Sequence, residues 1–210
     1  MNINLRTVHR ISAIFVGTFV LLHLSNHLAL LHSIALHIQV MEVMRVFYRL
    51  PVIEALLLAS IALQVFTGLP IAFRRLKQRQ DAWRRLQIFS GIYLAYFFIN
   101  HVGATLLTRG VVGLDTNIFF ASVGLHAPPF QYFFAPYYFL AVCAFFAHSA
   151  CIVRNVQIQS QSSAGYRRLH LLILLAGPLV GGLIVAAQAG AFYPVTIQDE
   201  YVQAFKSLFH

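Results

Sequence analysis

Two histidines that lie inside apolar segments are the residues of this sequence best suited to chemistry. His23 stands in VGTFVLLHLSNHL, and His101 stands in LQIFSGIYLAYFFINHVGATLLT. An ionisable side chain within a membrane-spanning helix is costly, so it normally faces the protein interior and has a function. Imidazole nitrogen suits iron, and a haem iron takes two axial ligands from opposite sides. The two histidines therefore predict bis-histidine haem ligation, provided that they meet at one depth.

The spacing within the two segments predicts that shared depth. His23 lies 14 residues after His9, and His101 lies 15 residues after Leu86. At 1.5 Å per residue both imidazoles are about 21–23 Å from the same membrane face if the two helices run in the same direction. His27 follows His23 by one turn and shares its face. Because His27 is nearer the surface, we expect it to contact a haem propionate or solvent.

The composition indicates a membrane protein with several spans. The 210 residues are 59% hydrophobic and 10% charged, with a mean hydropathy of +0.73, which excludes a soluble domain and a disordered chain. Too few residues lie between the apolar segments for a second domain. We predict one all-α domain over residues 1–210, a bundle of five transmembrane helices. Their predicted bounds are about 9–31, 51–73, 86–108, 131–153 and 169–188.

Two shorter segments, 32–50 and 195–210, have apolar residues at helical spacing. This pattern predicts short interfacial helices on the outer side of the membrane. His32 and His37 are expected on the solvent-facing side of the first of these helices.

The basic residues predict the orientation of the bundle. The net charge is +9, and eleven of the fifteen lysines and arginines lie beside one set of span ends, six of them in the connection 74–85. Basic residues flanking spans mark the cytoplasmic side. We therefore predict a cytoplasmic N-terminus and a multi-pass protein of the inner (cytoplasmic) membrane, with His23 and His101 in its outer half. We expect these basic residues to interact with membrane lipid and not with nucleic acid.

Three segments in order resemble a known family. RTVHRISAIFVGTFVLLHL, RLPVIEALLLASIALQVFTGLPIAF and QIFSGIYLAYFFINHV resemble the cytochrome b membrane-anchor subunit of succinate dehydrogenase and fumarate reductase, in the class made of one five-helix chain with two b haems. The similarity covers roughly residues 6–153. In that family histidines on helices one and three hold the outer haem, and His23 and His101 match those positions.

The resemblance also marks an inner haem position. In the family this haem is held by histidines on helices two and four. His148 in FFAHSA matches the helix-four ligand, but Gln64 stands at the helix-two position. Glutamine is a poor ligand for iron compared with imidazole, and His9 and His170 are expected to lie too shallow to replace it. We therefore expect one haem b, with the His148 pocket empty, filled by lipid or quinone, or holding a second haem weakly.

The resemblance implies a function and partners. Anchor subunits of this family pass electrons to or from membrane quinone and bind a flavoprotein and an iron–sulfur protein, which are expected here on the cytoplasmic side. Arg10, Ser12 and Ser90 fall where that family has quinone or propionate contacts. No residue of this chain is assigned a catalytic role, because carbon chemistry would belong to the other subunits.

Three functions remain open at this point. The first is an electron-transfer cytochrome b that anchors a succinate dehydrogenase or fumarate reductase-like complex. The second is a self-standing haem oxidoreductase that exchanges electrons between quinone and a small oxidant such as superoxide. The third is a haem-free packing or transport protein whose histidines are buried polar contacts.

The charge distribution generates a topology prediction. In a variant whose two native cysteines are replaced by serine, Gln78→Cys should resist a membrane-impermeant thiol reagent added to intact cells, whereas Val111→Cys should react. The reason is that the basic connection containing residue 78 is retained on the cytoplasmic side. The measurement is labelling before and after permeabilisation. If residue 78 alone were labelled in intact cells, the predicted orientation would be wrong.

Overall fold

The protein is helical throughout the part described by this computed structural model, residues 5–159 and 164–209. Five helices are long and apolar enough to cross a membrane, which confirms the predicted all-α bundle. They are α1 (Leu5–Ala29), α3 (Pro51–Leu76), α4 (Ala82–Leu107), α6 (Gln131–Gln159) and α7 (Ala164–Gln188). The shorter elements are α2 (Ile34–Tyr48), a π-helical turn (Thr108–Val112) directly after α4, α5 (Ile118–His126) and α8 (Asp199–Phe209).

Local sequence signals mark the first residues of several of these helices. The Asp81 side chain accepts a hydrogen bond from the Arg84 backbone N–H at 2.8 Å and caps α4. Ser33 caps α2 in the same way, accepting from the Leu36 N–H at 3.0 Å. Pro51 occupies the first position of α3, where its missing N–H costs nothing.

The long helices pack in the order α1–α3–α4–α6–α7, and α7 also contacts α1. No close pairing joins α1 to α4 or α3 to α6 among the described residues, so these helices face each other across the middle of the bundle. We call the end that carries the connection 77–81 the inner end, and the opposite one the outer end. Side chains that point into the middle therefore meet partners from helices that are not neighbours in this order.

An apolar layer of side chains from α1, α3 and α4 lies between the two ends of the bundle. Val16 of α1 packs with Leu57 and Ile61 of α3, and all three are buried. Phe98 and Val102 of α4 pack against them. The layer separates the polar side chains of the inner end from those of the outer end.

The short helices form a cap at the outer end. Val123 of α5 clusters with Tyr201 and Phe205 of α8. Arg45 of α2 pairs with Asp115, with Nη2 and Oδ1 2.8 Å apart, and Arg109 pairs with Glu54 of α3. These contacts tie the connections to the ends of the long helices.

Glycine allows α6 and α7 to approach closely. A Cβ atom added at Gly181 would meet the Phe139 carbonyl oxygen at 3.2 Å and the Val142 Cβ at 3.3 Å, whereas one added at the adjacent Gly182 would have no neighbour within 4 Å. Small residues of this kind let membrane helices pack backbone to backbone. The two neighbouring glycines thus have different surroundings on one helix.

We predict that Gly181→Ala destabilises the protein and that the matched change Gly182→Ala does not. The methyl group at 181 forces α6 and α7 apart, at a cost of about 1–3 kcal/mol typical of overpacking. The methyl group at 182 improves helix propensity by about 0.5–1 kcal/mol. Unfolding in mixed detergent micelles measures both changes, and equal effects of the two substitutions would contradict the packing argument.

Candidate functional site

His23 of α1 and His101 of α4 lie next to each other near the outer end. Their ring centroids are 6.1 Å apart, and the ring planes are inclined by 60°. Each histidine stands six residues before the last residue of its helix, Ala29 or Leu107, which is about 9 Å along the axis. The structure therefore brings together two imidazoles from helices that face each other across the bundle.

A phenylalanine one turn earlier orients each of these imidazoles. Phe19 stacks on His23 with an interplanar angle of 14° and a centroid distance of 5.7 Å. Phe97 stacks on His101 at 13° and 5.0 Å. Because both rings rest on an aromatic face, their rotation about the side-chain bonds is restricted.

His27 determines which nitrogen of His23 carries the proton. The Gln188 amide nitrogen lies 3.3 Å from His27 Nδ1, and an amide N–H can only donate, so Nδ1 accepts. His27 Nε2 then carries the proton and donates to His23 Nε2, which is 3.2 Å away. His23 Nε2 therefore presents a lone pair, which is the form that binds a metal. Iron at this nitrogen would replace the hydrogen bond from His27.

His37 of α2 extends this polar group, and the prediction that it faces solvent is wrong. Its side chain is 2% exposed, its ring centroid is 5.4 Å from that of His27, and its Nε2 accepts from the Asn26 amide at 3.3 Å. Helix α2 lies over the outer end of the bundle, so the face of α2 that carries His37 contacts protein and not solvent. Burial, with a smaller effect of the nearby Arg45 charge, lowers the pKa of His37 to about 4.

At the inner end Gln64 is engaged with α1. Its amide nitrogen donates to the His9 carbonyl oxygen at 2.7 Å and to Ser12 Oγ at 2.5 Å. Ser12 also bonds to the Val8 carbonyl at 2.9 Å. Gln64 thus joins α3 to α1 and does not share a hydrogen bond with His148.

His148 of α6 is held instead by α4. Its Nδ1 lies 3.3 Å from Ser90 Oγ and 3.1 Å from the Gln87 carbonyl oxygen. Ser90 is buried, whereas the Arg10 side chain is exposed at the basic inner end. Of the residues carried over from the family resemblance at this end, the structure joins Ser90 to His148 and Gln64 to Ser12.

Four residues that take part in the polar contacts of the outer and inner ends are not among the site residues predicted from the sequence. They are His9, Asn26, His37 and Gln188. Asn26 and Gln188 are polar residues buried near the outer ends of α1 and α7, which is the signal that could have identified them. His9 was set aside as too shallow. In the structure its ring contacts Thr67, well inside α3.

The two imidazoles suit a metal whose remaining ligands are supplied by a prosthetic group. Among the described residues no group of three or more His, Cys, Asp or Glu side chains is arranged to hold a metal ion. A haem iron needs only the two axial ligands. The ring centroids of His23 and His101 are 6.1 Å apart, so these two imidazoles are the residues that would hold a haem iron.

No family model matches this chain, and no curated protein or solved structure matches it either.

The burial of His37 generates a prediction of acid sensitivity. Above pH 6.5 the folded and unfolded forms both hold a neutral imidazole, so this residue contributes no pH dependence. Between pH 6.5 and about 4 only the unfolded chain takes up the proton. The free energy of unfolding should therefore fall across this window, by about 3 kcal/mol in total.

The test compares wild type, His37→Gln and the control His32→Gln, which alters an exposed histidine at the same end. Unfolding in mixed micelles is measured at several pH values from 7.5 to 4. The His37 variant should lose part of the slope, and the His32 variant should keep it. Parallel curves for all three proteins would contradict the assignment.

Proposed function

We propose that the protein is a membrane-embedded b-type cytochrome that transfers electrons to or from quinone through a haem held by His23 and His101. The observation that carries the proposal is the placement of these two imidazoles at one depth, on helices that face each other across the bundle. The haem supplies one-electron chemistry, which amino-acid side chains in this site do not provide.

The surroundings of the pair support this function. Phe19 and Phe97 stack on the two rings, and the hydrogen bond donated by His27 leaves His23 Nε2 unprotonated. The neighbouring apolar layer, which includes the buried Val16 and Ile61, gives the inner side of the site apolar surroundings. Low polarity around an iron site is one of the properties that set its redox potential.

Aromatic side chains connect this site to the outer part of α6. Phe97, which stacks on His101, lies 4.9 Å from the Tyr137 ring, centroid to centroid. Tyr93 of α4 donates its hydroxyl hydrogen to the Tyr137 carbonyl oxygen at 3.0 Å. These contacts place the α4–α6 interface beside His101.

We further propose that the protein anchors a succinate dehydrogenase or fumarate reductase-like complex in the inner (cytoplasmic) membrane. A flavoprotein and an iron–sulfur subunit would dock at the inner end. Arg79, Arg84 and Arg85 are exposed there, and such a surface attracts an acidic partner or anionic lipid. Co-purification of such subunits from the native membrane is the direct test of this part.

We predict that the purified protein shows the split visible bands of a low-spin b haem on reduction, because two imidazole ligands make the iron low-spin. His23→Ala and His101→Ala should each abolish the signal of the haem between them. The measurement is the reduced-minus-oxidised spectrum together with haem extraction.

His32→Ala is the matched control, since it removes an exposed histidine from the same end of the bundle. Its spectrum should equal that of the wild type. Unchanged spectra in both His23 and His101 variants would disprove the ligand assignment, and a colourless wild-type protein would favour the haem-free alternative.

A further inference from the structure

A cavity of about 440 Å³ lies at the inner end, between the last turn of α3 and the first turns of α4. Its volume falls within the range of roughly 300–1,000 Å³ that is typical of small-molecule sites. The side chains that line it are Leu76, Gln78, Arg79, Gln80, Arg85 and Phe89. One candidate membrane span ends beside the cavity and the next one begins there, so polar and apolar side chains meet in a single site.

Local hydrogen bonds shape the connection beside this cavity. The Gln80 side-chain amide donates to the Arg75 carbonyl oxygen at 2.9 Å, and the Gln78 backbone N–H donates to the same oxygen at 3.0 Å. The Asp81 side chain caps α4. These bonds satisfy polar groups at the ends of both helices without using an arginine side chain.

The positive charge of the cavity is not neutralised by the part of the chain that the structure describes. Arg79 and Arg85 are both exposed, and neither forms an ion pair with a described residue. The connection 74–85 holds six basic residues and one acid, Asp81. Two guanidinium groups that line one cavity suit a phosphate group, which accepts charge-assisted hydrogen bonds from arginine.

The lining residues of α4 follow the order of the parts of a phospholipid. Arg85 and Phe89 are four residues apart and share one face of the helix, with Phe89 about 6 Å deeper in the span. Phe89 is 58% exposed and Leu76 is 41% exposed, so both present apolar surface next to the arginines. A phosphate at the level of Arg85 would place its acyl chain at the level of Phe89. A free anion or an acidic peptide would use only the charged level.

We propose that this cavity binds the headgroup of an anionic phospholipid. Arg79 and Arg85 contact the phosphate, and Leu76 and Phe89 contact the first part of an acyl chain. Basic pockets between membrane helices are suited to lipid headgroups in this way. The proposal does not depend on haem. It assigns two arginines to lipid and leaves Arg84, which does not line the cavity, available to a protein partner.

The experiment measures lipid binding by native mass spectrometry of the full-length chain in an uncharged detergent, with phosphatidylglycerol or phosphatidylcholine added. The wild type should bind phosphatidylglycerol more tightly. Arg79→Gln combined with Arg85→Gln should weaken this binding by about tenfold, because both charge-assisted contacts are lost. The matched pair Arg74→Gln and Arg84→Gln removes the same charge from exposed positions outside the cavity. It should weaken binding by less than about twofold, because screened surface charges contribute little.

Two further measurements separate a lipid site from a site for a soluble anion. Phe89→Ala should weaken phosphatidylglycerol binding by about threefold, because the acyl chain loses apolar contact area. The matched control Phe66→Ala changes a side chain of α3 that is 76% exposed and lies outside the cavity, and it should have no effect. Inorganic phosphate should not displace the bound lipid.

Equal losses in the two arginine pairs, or equal binding of the two lipids by the wild type, would overturn the proposal. Displacement by inorganic phosphate would overturn it in favour of a free-anion site. Unchanged lipid binding together with loss of a co-purifying soluble subunit from the Arg79 and Arg85 variant would overturn it in favour of a protein contact. A wild type that holds no haem but shows the expected lipid binding would support this site and overturn only the proposed function.

Discussion

Polar side chains in the middle of this bundle must find their partners on other helices, because the bilayer core offers no water to them. Gln64 meets this requirement through the His9 carbonyl and Ser12, and His148 does so through Ser90 and the Gln87 carbonyl. Each contact crosses from one helix to another. The hydrogen bonds therefore determine how far each helix is shifted and rotated relative to its neighbours, which dispersion contacts between apolar faces specify only loosely.

The apolar layer around Val16 and Ile61 divides these polar contacts into two levels with different chemistry. The outer level joins histidines to one another and to the amides of Asn26 and Gln188. The inner level joins histidines to hydroxyl groups that precede glycines. At both levels hydrogen bonds fix which imidazole nitrogen carries the proton.

The number of spans and the depth of His23 and His101 follow from the sequence alone. Both are properties of a single helix: a run of apolar residues sets the length, and the rise per residue sets the depth. The predicted second span begins at residue 51, as α3 does. The last two helices extend beyond the predicted spans, since α6 continues to Gln159 and α7 begins at Ala164. Long polar side chains can leave the apolar region while their backbone remains helical.

Only the tertiary structure decided which neighbours the side chains meet. His37 is turned into the protein because α2 lies across the outer end of the bundle, and His9 reaches Thr67 because Gln64 draws α1 against α3. In a soluble protein the apolar stripe of a helix indicates its buried face. Here lipid accepts large apolar residues on the outside, as with Phe66 and Leu175, so the pattern does not indicate how each helix is rotated. That rotation depends on interhelical packing and hydrogen bonds, which form only when the whole bundle assembles.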